Sequence, residues 1–327
     1  MNNTIINENI CLKVKNSSNH VYNNASNVKI NENNLNDFIC KLEKLKYPKW
    51  SDSHNIDIDI IDIEELILFV LSIDSVNFCF WPYESINKDE YEYDNLVKGF
   101  RDQLSIYSTA NNVGFYTSKN LINLKIQNLI DLNIFPKYFP LLDERTRSLN
   151  ELGYFVKYIL KDKPSNLLNL ANNNCLDIAE LLIKEISTFR DESFYKGKQV
   201  FLYKRAQIAS ADLYSSLKEK NINLINSDKL TMFPDYRVPQ ILNELEILEY
   251  NKNLKEKINN KEIINANSEQ EIEIRLITVY VVELIKKALL NKNINLKSIE
   301  IDYMLWNEGE KLRNSIVNHH RTLTIFY

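Results

Sequence analysis

The sequence predicts a mainly α-helical protein with at most a few short strands. Three observations carry that expectation. Apolar residues recur at steps of three and four over most of the chain, as in Leu176, Ala179, Leu182-Ile183 and Ile186, the period of an amphipathic helix. Only 5 glycines and 7 prolines occur in 327 residues, few turn-formers for an all-β fold. Period-two alternation shows in one short run, Val76 to Trp81.

In chain order, residues 1–35 are Asn-rich with scattered apolar spots and read as a partly ordered N-terminal arm. Residues 36–327 read as one two-lobed domain. Asn36-Asp37 caps a helix over Phe38 to Lys46, stopped at Tyr47-Pro48. The next helix, from Ile60 to Val70, is apolar enough to be central. Asp74 to Pro82 follows as a short strand or extended piece, and residues 83–95 as an acidic surface loop. Helices are expected over 95–110, 121–132, 141–161 in two pieces with Gly153 near a crossing, and 176–189. Leu202, Ala206, Ala209, Leu213 and Leu217 mark another. After a proline turn, residues 251–269 form a polar excursion. Two helices close the chain, over about 271–290 and 299–313.

Composition narrows the function classes. With 44% hydrophobic and 26% charged residues, the chain has the make-up of a soluble globular protein. The formal net charge is −4 and the isoelectric point about 5.8. Grooves for a nucleic-acid backbone carry a basic excess, so a free small molecule is the better match. Cys11, Cys40, Cys79 and Cys175 lie far apart without a C-x-x-C pair, fitting neither a zinc knuckle nor a disulfide framework and favouring a reducing compartment. No apolar run reaches membrane-spanning length, and the first ten residues are too polar for a signal peptide. The cytoplasm is the expected location. No H-x-x-x-H, G-x-S-x-G or Walker pattern occurs.

Four stretches carry candidate chemistry. Thr231 to Gln240 holds two prolines five residues apart, Pro234 and Pro239, which stiffen a turn presenting Phe233, Asp235, Tyr236 and Arg237 together. That set suits gripping a flat, hydrogen-bonding molecule, and on these residues alone reads more readily as a braced turn with a surface Asp–Arg pair. In the run from Asp74 to Trp81, aromatic density exceeds the chain's 11%. Asp74, Phe78 and Trp81 suit a pocket with apolar walls and a few polar groups, or plain core packing. Lys204 and Arg205 open a helix, against the preference for anions there. They read as an anion site or as solvated cations. Asp302 takes a place on the apolar stripe of the last helix, one turn from Trp306, as a carboxylate either paired or held in a semi-apolar pocket.

Seven stretches together resemble one family. DSVNFCFWP, FPLLDERTRSLNELG, YKRAQI, TMFPDYRVPQIL, EIRLITVYVVELI, IDYMLWNEGEKLR and the closing HHRTLTIFY are similar, in the same order, to the queuosine salvage proteins. The similarity runs from about residue 36 to the end. It implies a helical fold like that of the helix-hairpin-helix DNA glycosylases. It also implies hydrolysis of the N-glycosidic bond of queuosine 5′-monophosphate, releasing queuine for tRNA modification. The substrate is then a free nucleotide, with no direct nucleic-acid partner, membrane, metal or cofactor, and no particular oligomeric state. Two alternatives stand beside this: a non-catalytic nucleotide-binding protein, or a nucleic-acid base-excision glycosylase.

By position, the resemblance makes Asp302 the nucleophile or the stabiliser of the positively charged sugar. Phe233 and Asp235 become the base-binding pair, with Asp235 also assisting catalysis. Tyr236, Arg237, Trp306, Asn307, Asp74, Phe78, Trp81 and Lys204 are placed around the substrate, with Lys204, Arg205 or Arg237 facing its phosphate. A family histidine falls at or beside Lys44. Where the family often carries an acid, five positions after Asp302, this chain has Asn307.

Overall fold

A computed structural model describes residues 9–42, 49–82, 91–107 and 114–327. The described residues hold fifteen helices and two short sheets, with 59% helix and 6% strand, so the mainly helical expectation holds. In order, α1 is Ile10–Asn24, β1 Val28–Ile30, α2 Glu32–Lys41, α3 Trp50–His54, α4 Ile63–Val76 and α5 Tyr93–Arg101. Then come α6 Ser118–Ile122, α7 Ile126–Asp131, α8 Leu142–Tyr158, α9 Asn166–Leu170, α10 Cys175–Glu185, β2 Glu192–Tyr195 and β3 Lys198–Phe201. Last are α11 Lys204–Glu219, α12 Arg237–Glu244, β4 Leu248–Tyr250, α13 Lys252–Asn259, α14 Glu269–Asn291 and α15 Ser298–Leu312.

These elements cluster into two compact units. The first takes residues 9–42, Asp191–Tyr203 and Asp228–Thr322. Its axis is α14, started by Ser268, whose side chain accepts the Glu271 N–H. Helix α1 packs along α14. Asn9 caps it through the Leu12 N–H, and Val14 and Val21 are fully buried. Strand β1 pairs antiparallel with β4, Val28 opposite Tyr250. Residues 10–30, expected as a partly ordered arm, are therefore structured: the scattered apolar spots are one helical stripe. Glu273 is buried in α14 and accepts the amides of Ser26, Asn27 and Val28 and the Tyr195 hydroxyl, at 2.6–3.1 Å. A buried carboxylate is tolerable when so fully bonded.

The second unit takes residues 49–82, 91–107, 114–190, Lys204–Ser227 and Leu323–Tyr327. Its core is α4, capped by Asp62 through the Glu64 N–H at 2.8 Å and buried from Leu66 to Val76. Helices α8 and α11 pack on it. Helix α8 is continuous where two pieces were expected. Its Gly153 lies against α6, where an added Cβ would stand 2.6 Å from the Ile122 nitrogen.

Of the short strand or extended piece expected over Asp74–Pro82, the strand does not form. Helix α4 continues through Val76, and residues 77–80 pair with no strand. The alternation misled because Asn77, Phe78, Cys79, Phe80 and Trp81 are all buried. Polar outward positions, which a one-faced strand needs, are missing. The polar excursion after residue 250 contains α13, capped by Asn251 through the Leu254 N–H.

Candidate active site

The proline turn and α15 meet in the first unit. Helix α12 begins at Arg237, three residues after Pro234, and accepts Pro239 in its first turn, where the missing N–H has no partner to lose. Asp235 Oδ1 accepts the backbone N–H groups of Arg237 at 2.9 Å and Val238 at 3.0 Å, so this carboxylate caps α12. Asp302, 6% exposed on α15, accepts the Phe233 N–H through Oδ1 at 3.0 Å. Two trans peptide links separate Phe233 from Asp235, so their Cα atoms lie within about 7 Å. The two acids, 67 residues apart in sequence, thus serve one turn.

A further clamp holds that turn. Arg275, 2% exposed, donates Nε to the Pro234 carbonyl at 2.9 Å. Its other nitrogens reach both oxygens of Asp191 at 3.1 and 2.6 Å and Glu271 at 3.1 Å. The bidentate, doubly countered guanidinium is a rigid fixture. Two of its partners, Pro234 and Asp191, lie 41 and 84 positions away in sequence. On the same helix, Glu283 pairs with Lys15 at 2.8 Å and the Ser298 hydroxyl at 2.6 Å.

Arg237, a phosphate candidate by sequence, is 4% exposed. Its Nε meets Glu310 at 2.5 Å and a terminal nitrogen meets Gln240 at 2.5 Å. The stem of Arg237 runs over Gly309, where a Cβ would sit 2.9 Å from its Cγ. This joins α12 to α15. Trp306 is half-buried one turn beyond Asp302, and half-buried Asn307 donates to the Tyr303 carbonyl at 2.8 Å.

His319, in the closing stretch HHRTLTIFY, is not among the residues the sequence singles out. Its ring lies 4.6 Å from that of Tyr236, tilted by 32°. Nδ1 is 2.7 Å from the His320 carbonyl, an acceptor, so Nδ1 carries the proton of the neutral ring. Burial pushes the His319 pKa down to about 3, with Arg237, Arg321 and Lys261 adding to the effect against the His320 bond. Burial likewise pushes His320 well below the usual range.

The remaining sequence-predicted residues lie in the second unit, except Lys44, which lies outside the described residues. Asp74 is fully buried near the end of α4. Burial, with the Asp212 charge added, holds its carboxyl well above the ordinary carboxylate range. The Asn77 side chain favours the anion, but without a well-formed hydrogen bond to either carboxyl oxygen. Lys204 is 4% exposed and donates to the Asn77 carbonyl at 3.0 Å. Arg205 is 1% exposed and donates to the carbonyls of Ser75 and Thr188. Phe78 is buried and Trp81 is 7% exposed.

Comparison with known proteins adds to this geometry. The profile of the queuosine salvage protein family matches residues 58–327. A Dictyostelium discoideum protein named queuosine 5′-phosphate N-glycosylase/hydrolase is 38% identical over 317 residues, covering 93% of this chain and 95% of its own. Proteins of the same name from Sphaerobacter thermophilus and Mus musculus are 32% and 29% identical, each over 85% of this chain and over 84% and 87% of their own. The chain belongs to the queuosine salvage protein family. In this queuosine salvage protein the matched span contains the proline turn, α15 and the run from Asp74 to Trp81, while α1, β1, α2 and α3 precede it.

Proposed function

We propose that the protein hydrolyses the N-glycosidic bond of queuosine 5′-monophosphate, releasing queuine and ribose 5-phosphate. One observation supports it above others: Asp302 accepts the amide of Phe233, two residues from Asp235, so two acids on distant segments serve a single aromatic turn. In this reading Phe233 stacks on the 7-deazaguanine ring. Asp235 accepts the adjacent N1–H and 2-amino donors of the base edge. A carboxylate offers about four lone-pair positions, and the α12 cap engages two N–H groups on one oxygen.

Breaking the bond from C1′ to N9 leaves positive charge on the sugar, which the fixed carboxylate of Asp302 stabilises while water adds to C1′. A 7-deaza base has no N7 to protonate. Stabilisation of the departing base therefore falls to its edge contacts, which gives Asp235 a share in rate. Tyr236, Trp306 and Asn307 are the flanking groups of the same unit, and Arg237 acts through its clamp to Glu310. Asp74, Phe78, Trp81 and Lys204 of the second unit are assigned to the substrate on the resemblance. The helix-hairpin-helix glycosylase-like architecture and a cytoplasmic location belong to the same reading. The mainly helical make-up of the described residues agrees with the first. No described helix is long and apolar enough to cross a membrane, which agrees with the second.

The test sets the mononucleotide against queuosine-modified tRNA at several salt concentrations. Queuine release from the mononucleotide with little salt dependence is expected, since a net charge of −4 offers phosphate backbones little attraction. Faster cleavage of intact tRNA contradicts it.

A further inference from the structure

We propose that Arg145 is a positioning residue for substrate binding: its guanidinium sets the shape of the Val76–Trp81 arch, from which two of the proposed substrate residues hang. The inference rests on the activity proposed above. Arg145 sits on α8, inside the motif FPLLDERTRSLNELG, and nothing in the proposed chemistry uses it. It is fully buried. Nε donates to the Pro140 carbonyl at 3.0 Å and one terminal nitrogen to Val76 at 2.5 Å. The other donates to Phe78 at 2.6 Å and Cys79 at 3.0 Å.

The neighbouring carbonyls complete a pattern. Ser75 receives Arg205 and Asn77 receives Lys204, so five consecutive carbonyls, 75 to 79, each face one of three buried cations. The first two belong to the C-terminal end of α4, whose last carbonyls lack helical partners and whose dipole favours positive charge. The Phe78 ring lies between two guanidinium centres, Arg145 at 4.3 Å and Arg205 at 4.9 Å. Phe135 and Phe139 stand 5.0 and 4.7 Å from Arg145, adding cation–π attraction in a dry site.

This is far more than a loop needs. Burying a cation costs several kcal/mol as an order of magnitude, and water or a glycine turn satisfies most helix ends. Three buried cations on five carbonyls specify a shape. Cys79 shows it: a non-glycine residue at φ 48°, with its N–H bonded to the Tyr327 carbonyl at 2.9 Å. Asp74 leads into the arch and Trp81 ends it. A planar fork reaches carbonyls of four different residues here, whereas a lysine ammonium keeps the charge and loses the fork. Shape, more than charge, is what Arg145 supplies.

The experiment compares wild type with Arg145→Lys, measuring kcat, KM for queuosine 5′-monophosphate and the melting temperature. We expect KM to rise at least tenfold with kcat within threefold of wild type. A melting temperature that falls while KM stays unchanged overturns the proposal, leaving Arg145 a core residue only. Should Arg145→Lys yield no folded protein, Phe139→Leu removes one aromatic wall and keeps the charge. A KM at least threefold higher is then expected, and an unchanged KM overturns the proposal. Wild type that neither cleaves nor binds the nucleotide overturns the underlying activity, and is read before either variant.

Discussion

Asp235 shows how a single side chain can hold two tasks that mutagenesis separates. As a cap for α12 it is replaceable, because asparagine accepts the same backbone N–H groups about as well. As a reader of two donors on a base edge it is not, because an amide presents a donor where an acceptor is needed. Asp235→Asn is therefore expected to keep the melting temperature within about 1–2 °C, the effect of half a kcal/mol or less in a chain of this size. It should lower kcat/KM by about 10²-fold, on the order of two charge-assisted hydrogen bonds. Thermal melts and steady-state kinetics on one preparation check both. A melt far below wild type with unchanged kinetics assigns Asp235 to the fold alone.

His54 belongs to the same scale. It is 5% exposed, with Nδ1 2.8 Å from the Trp50 carbonyl and Nε2 3.0 Å from the Tyr93 hydroxyl. Burial pushes its pKa down to about 4, against the Trp50 bond. The unfolded chain then binds more protons than the folded one between that value and about 6.5. This contribution to stability is fully present above pH 6.5 and is lost as pH falls through the folded pKa, by about 1.4 kcal/mol per pH unit. His54→Gln is expected to lose less melting temperature than wild type between pH 7 and 5. Equal losses in the two proteins contradict the assignment.

At the scale of elements, most helices were legible. The apolar stripes of α10, α11, α14 and α15 are long, and Ser268 marks the start of α14 where a cap is expected. Helix α1 was missed because its stripe is sparse, with Ile10, Val14 and Val21 carried among asparagines and serines. Such a stripe is only read as helix once α14 supplies the opposing face. The run after α4 was misassigned because its alternating side chains are all buried, and the bonds of its carbonyls to Arg145, Lys204 and Arg205 leave no mark in the sequence. The motifs single out Asp235 and Asp302 but say nothing of the bond from the Phe233 N–H to Asp302. Arg275 and its partners were not, since Asp191 lies 84 positions away and no local period connects them.

Close packing gives this scale its test. At Gly153 an added Cβ meets backbone, the Ile122 nitrogen at 2.6 Å. At Gly309 it meets Arg237 methylenes at 2.9 and 3.1 Å, which can shift. Gly153→Ala is expected to cost about 1–3 kcal/mol or more through overpacking, and Gly309→Ala less. Differential calorimetry ranks them, and the reverse order contradicts the account of the α6–α8 approach.

For the whole molecule, titration of desolvated acids, fully buried Asp74 and half-buried Asp212, opposes that of buried histidines. Burial holds Asp74 and Asp212 above the ordinary carboxylate range, each raised by desolvation before any neighbouring charge. A raised carboxyl contributes stability below its unfolded pKa and loses it as pH climbs through the folded one. Asp212→Asn is thus expected to gain melting temperature over wild type at pH 8 and to gain less at pH 5. A pH-independent difference contradicts the burial of charge there.

The central claim is that Asp302 and Asp235 act on one nucleotide. Single-turnover release of queuine from queuosine 5′-monophosphate by wild type and Asp302→Asn, with queuine binding measured alongside by calorimetry, tests it most directly. The account predicts release at least about 10²–10³-fold slower in the variant, the cost of removing one transition-state stabiliser, with affinity for queuine within threefold of wild type. Release by Asp302→Asn at the wild-type rate would contradict it.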